Sequence, residues 1–184
     1  MKRWMVAVSL AACFVVPLML VAADDEHSDS RIQRGFRISP VPLHMKGLNP
    51  DLVGVGSYLV NAIGGCNDCH TCPTYKPGHN PYTGGDGAVN AANFLAGGAP
   101  FGPFLKSANL TPKTIGGNPE QGNSFETFET LIRTGHDPDE GNRILQVMPW
   151  PIYRNMTDRD LRAIYEYLSA IPPAQPGICT GPGE

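Results

Sequence analysis

The 184-residue chain shows no basic stripe, no internal repeat and no persuasive strand pattern. Its 17 acidic side chains outnumber 14 lysines and arginines for a formal charge of −3, which argues against a nucleic-acid surface and favours a partner with a basic docking face. Two glycine pairs, Gly84-Gly85 and Gly97-Gly98, lack the preceding strand that would present a phosphate-binding loop. No twin-arginine pair marks the N-terminus. The chain is long enough for one domain around a single core, and its function is to be sought in the few chemistry-bearing residues it has.

Those residues lie downstream of an export-like segment. Lys2 and Arg3 precede an apolar run from Trp4 to Ala23, and Asp24-Asp25-Glu26 follows at once, so residues 1–23 read as a signal peptide cleaved after Ala23. The run is also about long enough to be retained as a membrane anchor, although Pro17 interrupts it. Leu10-Ala11-Ala12-Cys13 resembles a lipoprotein box, but the apolar character continues beyond Cys13. A periplasmic location is expected, with membrane association only if the N-terminal segment is retained.

Residues 24–49 show no clear period and read as an N-terminal arm. A helix is predicted from the Asn49-Pro50-Asp51 cap through Leu52, Val55, Leu59 and Ala62 to Gly64-Gly65, with Gly54 and Gly56 as sites where another helix could cross closely. Residues 73–123 read mostly as loop, with a short turn near Ala91–Leu95. A second helix is predicted from Ser124 to Thr134, stopped by Gly135, and a last one from Thr157 and Asp160, with Leu161, Ile164, Tyr165 and Leu168 on one face. The class is all-α, with residues 50–173 as the domain and 174–184 as a tail.

The most informative stretch is Cys66-Asn67-Asp68-Cys69-His70. Two cysteines at this spacing can add across the vinyl groups of a porphyrin, and the adjoining histidine can ligate its iron; one such motif predicts one covalent haem c. A redox dithiol would follow a strand, and no apolar β-branched run precedes Cys66. Cys66, Cys69 and Cys72-Pro73 approach an iron–sulfur run, but outside the export segment the fourth thiol is the remote Cys179. For the second axial position the candidates are Met45, Met148 and Met156, or His27, His44, His79 and His136. Met148 stands out because Pro149 and Pro151 flank Trp150 and stiffen its loop. His44 and His136 are the fallback ligands.

Gly56-Ser57-Tyr58-Leu59, Phe94-Leu95-Ala96-Gly97-Gly98, Asn109-Leu110-Thr111-Pro112, Arg133-Thr134-Gly135, Met148-Pro149-Trp150 and Leu161–Leu168 resemble class I monohaem cytochromes c, particularly the cytochrome domains of bacterial periplasmic alcohol and sugar dehydrogenases. The resemblance implies a cytochrome c-like fold in which the first and last helices cross around one haem, with Met148 as distal ligand. It implies a single-electron carrier and not an enzyme, passing electrons from a dehydrogenase to a downstream cytochrome or oxidase. A haem subunit fixed to one dehydrogenase and a haem with an openable distal site for peroxidase or gas chemistry are the alternatives. Asn109, Arg133, Trp150 and Tyr153 are candidate haem-edge contacts. Family members usually continue C-x-x-C-H-T-P, whereas here Cys72 precedes Pro73. In an oxidising compartment Cys72 and Cys179 would tend to pair, the alternative being two free thiols.

Overall fold

The computed structural model describes residues 22–179. All but the last two residues of the export-like segment lie outside that range, as do the final five of the tail. Six α-helices are present among the described residues: α1 (Ala22–Ile38), α2 (Pro50–Tyr58), α3 (Cys66–His70), α4 (Phe125–Thr134), α5 (Trp150–Tyr153) and α6 (Asp158–Ala170). None of them is long and apolar enough to cross a membrane. Two antiparallel ribbons of two-residue strands complete the pattern, β1 (Pro100–Phe101) with β2 (Leu105–Lys106) and β3 (His136–Asp137) with β4 (Arg143–Ile144). The molecule is helix-rich and compatible with an all-α class; the ribbons are too short to build a core.

Local chemistry explains where the longer helices start and stop. The Asn49 side chain accepts from the Asp51 and Leu52 N–H groups, and Pro50 occupies the first turn, where a missing N–H costs nothing. Ser124 Oγ accepts from Thr127 N–H, and Gly135 (φ +73°) closes α4 with its N–H on the Leu131 carbonyl at 2.8 Å. Thr157 and Asp160 form a reciprocal capping box on α6.

The frame is a crossing of α2 with α6 and of α1 with α2. Both crossings depend on glycine. A Cβ at Gly56 would collide with the Ala163 carbonyl of α6, and one at Gly35 with the Gly54 carbonyl. Ser57, buried between them, donates its hydroxyl to the Gly35 carbonyl at 2.7 Å. Residues 24–49 are thus not wholly without regular structure, as the absence of period suggests. Their first part is helical because Gly35 lets it lie directly on α2, a close approach that needs little apolar surface. Tyr167, Leu161 and Leu168 of α6 are fully buried, the two leucines each contributing roughly 1.5–3 kcal/mol by leaving water. The Tyr167 hydroxyl, buried with its ring, is met by Asn61 Nδ2 at 3.0 Å and Ser39 Oγ at 3.2 Å, so its burial leaves no orphaned polar group.

Candidate haem site

Helix α2 does not end cleanly. It passes into a π-helical turn (Leu59–Ile63), and Gly64 and left-handed Gly65 (φ +60°) then redirect the chain into α3. This places Cys66, Cys69 and His70 along one wall of a cavity of about 620 Å³, inside the roughly 300–1,000 Å³ range of cofactor clefts. Met148, Asn109 and Tyr153 line the same cavity, and an adjoining apolar pocket of about 40 Å³ reaches Phe128, Ile132 and Met156.

The four cysteines of the described region divide into two pairs by chemistry. Cys72 and Cys179 form a disulfide across 107 positions, with their Cα atoms 5.7 Å apart. Cys66 and Cys69 are free thiols. Burial pushes the Cys66 thiol up to about 12 and raises that of Cys69, so both stay protonated at neutral pH. The disulfide consumes the two further thiols that a four-thiolate cluster would need.

The His70 imidazole is held neutral and in one orientation. Burial lowers its pKa, only partly offset by its bond to Ala108, and the ring is neutral at physiological pH. Its Nδ1–H donates to the Ala108 carbonyl at 2.8 Å, leaving Nε2 as the free lone pair. Among the described residues no cluster of three or more His, Cys, Asp or Glu could hold a metal ion by itself. One imidazole, one thioether and two free thiols around a porphyrin-sized space instead fit a haem, which brings four nitrogen ligands of its own.

The Met148 wall is fastened to the end of α4. The Trp150 ring lies against Gly135, where a Cβ would collide with it. Trp150 Nε1–H donates to the Leu145 carbonyl at 3.3 Å, and Leu145 N–H to the Gly135 carbonyl at 2.8 Å. Tyr153 reaches across to the other wall, its hydroxyl donating to the Gly64 carbonyl at 2.7 Å. Arg133 is turned away from the cavity: Nη1 donates to the Arg154 and Met156 carbonyls, both at 2.6 Å, and Nη2 to Asp158. Of the four candidate haem-edge contacts, Asn109 and Tyr153 therefore line the cavity, whereas Arg133 and Trp150 brace it from behind. Asn109 spends its amide away from the cavity, Nδ2 donating to the Ala174 carbonyl at 3.0 Å and Oδ1 accepting from Thr111. Of the other sulfur and nitrogen candidates, Met156 lines the small apolar pocket, and His136 Nδ1–H donates to the Asn142 carbonyl at 3.0 Å.

Two participants have no signature in the sequence. The Ala108 carbonyl is a backbone acceptor that any residue could supply. Glu120 lies in a polar loop but lines the cavity, where burial pushes its carboxyl up to about 7, aided by Asp137 and Asp139 and opposed by a bond from Asn123 Nδ2.

Known proteins align with this region. A nicotinate dehydrogenase subunit of Pseudomonas putida is 34% identical over 134 residues, covering 66% of this chain and 10% of that protein. The gluconate 2-dehydrogenase cytochrome c subunit of Pantoea cypripedii is 31% identical over 119 residues (65% and 23%). The fructose dehydrogenase cytochrome subunit of Gluconobacter japonicus is 33% identical over 118 residues (61% and 20%). The chain is a homologue of the cytochrome c subunits of bacterial dehydrogenases. It spans between a tenth and a quarter of the length of these relatives. No family model and no solved structure matches it.

Proposed function

We propose that the chain is a haem-carrying electron-transfer subunit of a dehydrogenase system, with one haem c attached through Cys66 and Cys69 and ligated by His70 and Met148. The observation that carries this reading is the convergence of two free thiols, a neutral imidazole with one nitrogen committed to Ala108, and the Met148 thioether on one cavity. A haem held there would supply a one-electron ferric–ferrous couple.

The chain's own residues do the rest. His70 presents Nε2 in a fixed orientation because Nδ1 is tied to backbone. Met148 offers a soft ligand that favours the ferrous state and so raises the potential. Tyr153 joins the two ligand-bearing walls through Gly64, which limits how far they can part when an electron arrives or leaves. The apolar side chains Leu110, Phe128 and Ile132 keep water from the deep end of the site.

The relatives are cytochrome subunits of dehydrogenases, which favours a dehydrogenase as donor and a fixed subunit over a freely diffusing carrier. A downstream cytochrome or oxidase is the acceptor in this reading. The export-like segment and the disulfide agree with a periplasmic site of action.

Protein recovered from a host that attaches c-type haem tests the proposal. The ferrous form is expected to be low-spin and indifferent to carbon monoxide, while Met148→Ala binds the gas readily and has a lower potential. Colourless wild-type protein, or ready carbon monoxide binding by it, overturns the ligand assignment. Copurification with a dehydrogenase separates a fixed component from a free carrier.

A further inference from the structure

Residues 172–179 of the C-terminal segment form no helix or strand, yet the segment is held at several points. Asn109 Nδ2–H donates to its Ala174 carbonyl at 3.0 Å, and Ala174 N–H donates to Thr111 Oγ1 at 3.2 Å. Asn93 Nδ2–H donates to the Gln175 carbonyl at 2.7 Å. Pro176 sits on Gly98, where a Cβ would clash with its ring. Gly177 N–H donates to the Cys72 carbonyl at 3.0 Å, and Cys179 is bonded to Cys72.

The segments the tail touches are the ones that hold His70. Gly97 N–H donates to the His70 carbonyl at 2.7 Å, and the Ala108 carbonyl receives the imidazole N–H. Leu95 N–H donates to Thr71 Oγ1 at 2.9 Å. The contacts form a closed ring: His70 to Ala108, Asn109 to Ala174, along the tail to Cys179, across the disulfide to Cys72, and through Thr71 back to His70. Every link is a bond of the chain, a hydrogen bond or the disulfide. Opening it removes one set of ties on the Ala108 segment; the Gly98 N–H bond to the Ser107 carbonyl at 3.0 Å and the Ser107 N–H bond to the Ala99 carbonyl at 2.9 Å remain, so the Ala108 carbonyl gains freedom relative to the imidazole without being released.

Resting on the haem reading above, we propose that residues 174–179 are a positioning strap for the axial imidazole, fixing the Ala108 carbonyl on Nδ1–H and thereby the donor strength of Nε2. A strong Nδ1–H···O=C bond makes the imidazole a better electron donor, which stabilises ferric iron; loosening it raises the potential. A tail that served stability alone would change the melting temperature and leave the iron's properties where they were.

The test compares haem-loaded wild type with Cys72→Ser/Cys179→Ser and with Asn109→Ala. Among residues 24–184 the double variant leaves no thiol besides Cys66 and Cys69 to compete during haem attachment. Asn109→Ala removes the bond to the Ala174 carbonyl and leaves only Thr111 holding the tail there, with the disulfide intact, and serves if the first variant fails to fold. Two quantities are read: the reduction potential, and hydrogen exchange of the His70 Nδ1–H by NMR in the reduced, diamagnetic protein. The strap predicts a potential moved upward in both variants, seen as a several-fold rise in the reduced-to-oxidised ratio at fixed poise. It also predicts Nδ1–H exchange faster by about tenfold or more, since local opening then exposes that proton. A lowered melting temperature with potential and exchange unchanged overturns the strap while leaving the haem assignment intact. Colourless wild-type protein overturns the haem assignment itself.

Discussion

On the His70 side of the cavity, residues 71–111 contain almost no regular structure and are held by backbone-directed hydrogen bonds, the tail and a disulfide. On the Met148 side, the loop hangs from the C-terminal end of α4 through an aromatic ring on a glycine and an arginine on two carbonyls. The first wall is redundant: many weak bonds share the task, and closing a loop of this length with a disulfide adds roughly 3–5 kcal/mol on the chain-entropy account. The second depends on very few contacts. Sharing a load among many bonds suits the wall that carries the proposed ligand His70. A wall resting on few contacts is the one expected to open first when the structure is disturbed.

The most severe way to break this asymmetry is Gly135→Val. The position has φ +73°, which costs a side chain about 1–3 kcal/mol, and a Cβ there strikes the Trp150 ring, which costs about as much again as overpacking. We expect a loss of roughly 2–6 kcal/mol in urea unfolding, with carbon monoxide gaining access to the proposed haem. Unchanged gas exclusion in a folded Gly135→Val protein would show that Met148 is not positioned through Trp150.

A smaller effect is expected for Arg133→Ala. Its guanidinium satisfies the carbonyls of Arg154 and Met156, at the junction of α5 and α6, and meets Asp158. Losing the two carbonyl bonds should cost about 1–2 kcal/mol, with little added for the exposed Asp158 pair. Arg159→Ala, at an exposed position on α6, is the control. If the two variants unfold at the same urea concentration, the junction does not depend on Arg133.

The same contrast explains what could be read before the structure. Asn49, Ser124, Gly135, Thr157 and Asp160 act within one turn of themselves, and each marks its helix boundary through local chemistry. The motif at Cys66–His70 is likewise contiguous, and Gly54 and Gly56 were legible as crossing points because helical glycine is costly without such a use. Helix α1 was not legible, since it rests on a backbone approach at Gly35 in place of an apolar stripe. Arg133 looked like a candidate for the cavity because nothing local shows which carbonyls a long side chain will find. The Ala108 acceptor and the placement of Glu120 arise from loop paths that only the folded chain defines.

Glu120 offers the most specific probe of the cavity. Burial raises its carboxyl from about 4.5 to about 7, and both Asp137 and Asp139 of the β3–β4 ribbon push the same way. The folded protein therefore keeps this group protonated over a range in which the unfolded chain has already ionised it. Its contribution is fully present below pH 4.5 and is lost progressively as the pH rises towards 7. Wild-type protein should lose more stability between pH 5 and pH 8 than Glu120→Gln, which keeps the shape but cannot ionise. The urea midpoints of the two proteins should converge at the acidic end and separate at the alkaline end. Parallel curves would mean that Glu120 reaches solvent and that the Asp137–Asp139 side of the cavity is open to water, leaving Leu110, Phe128 and Ile132 alone to keep the deep end dry.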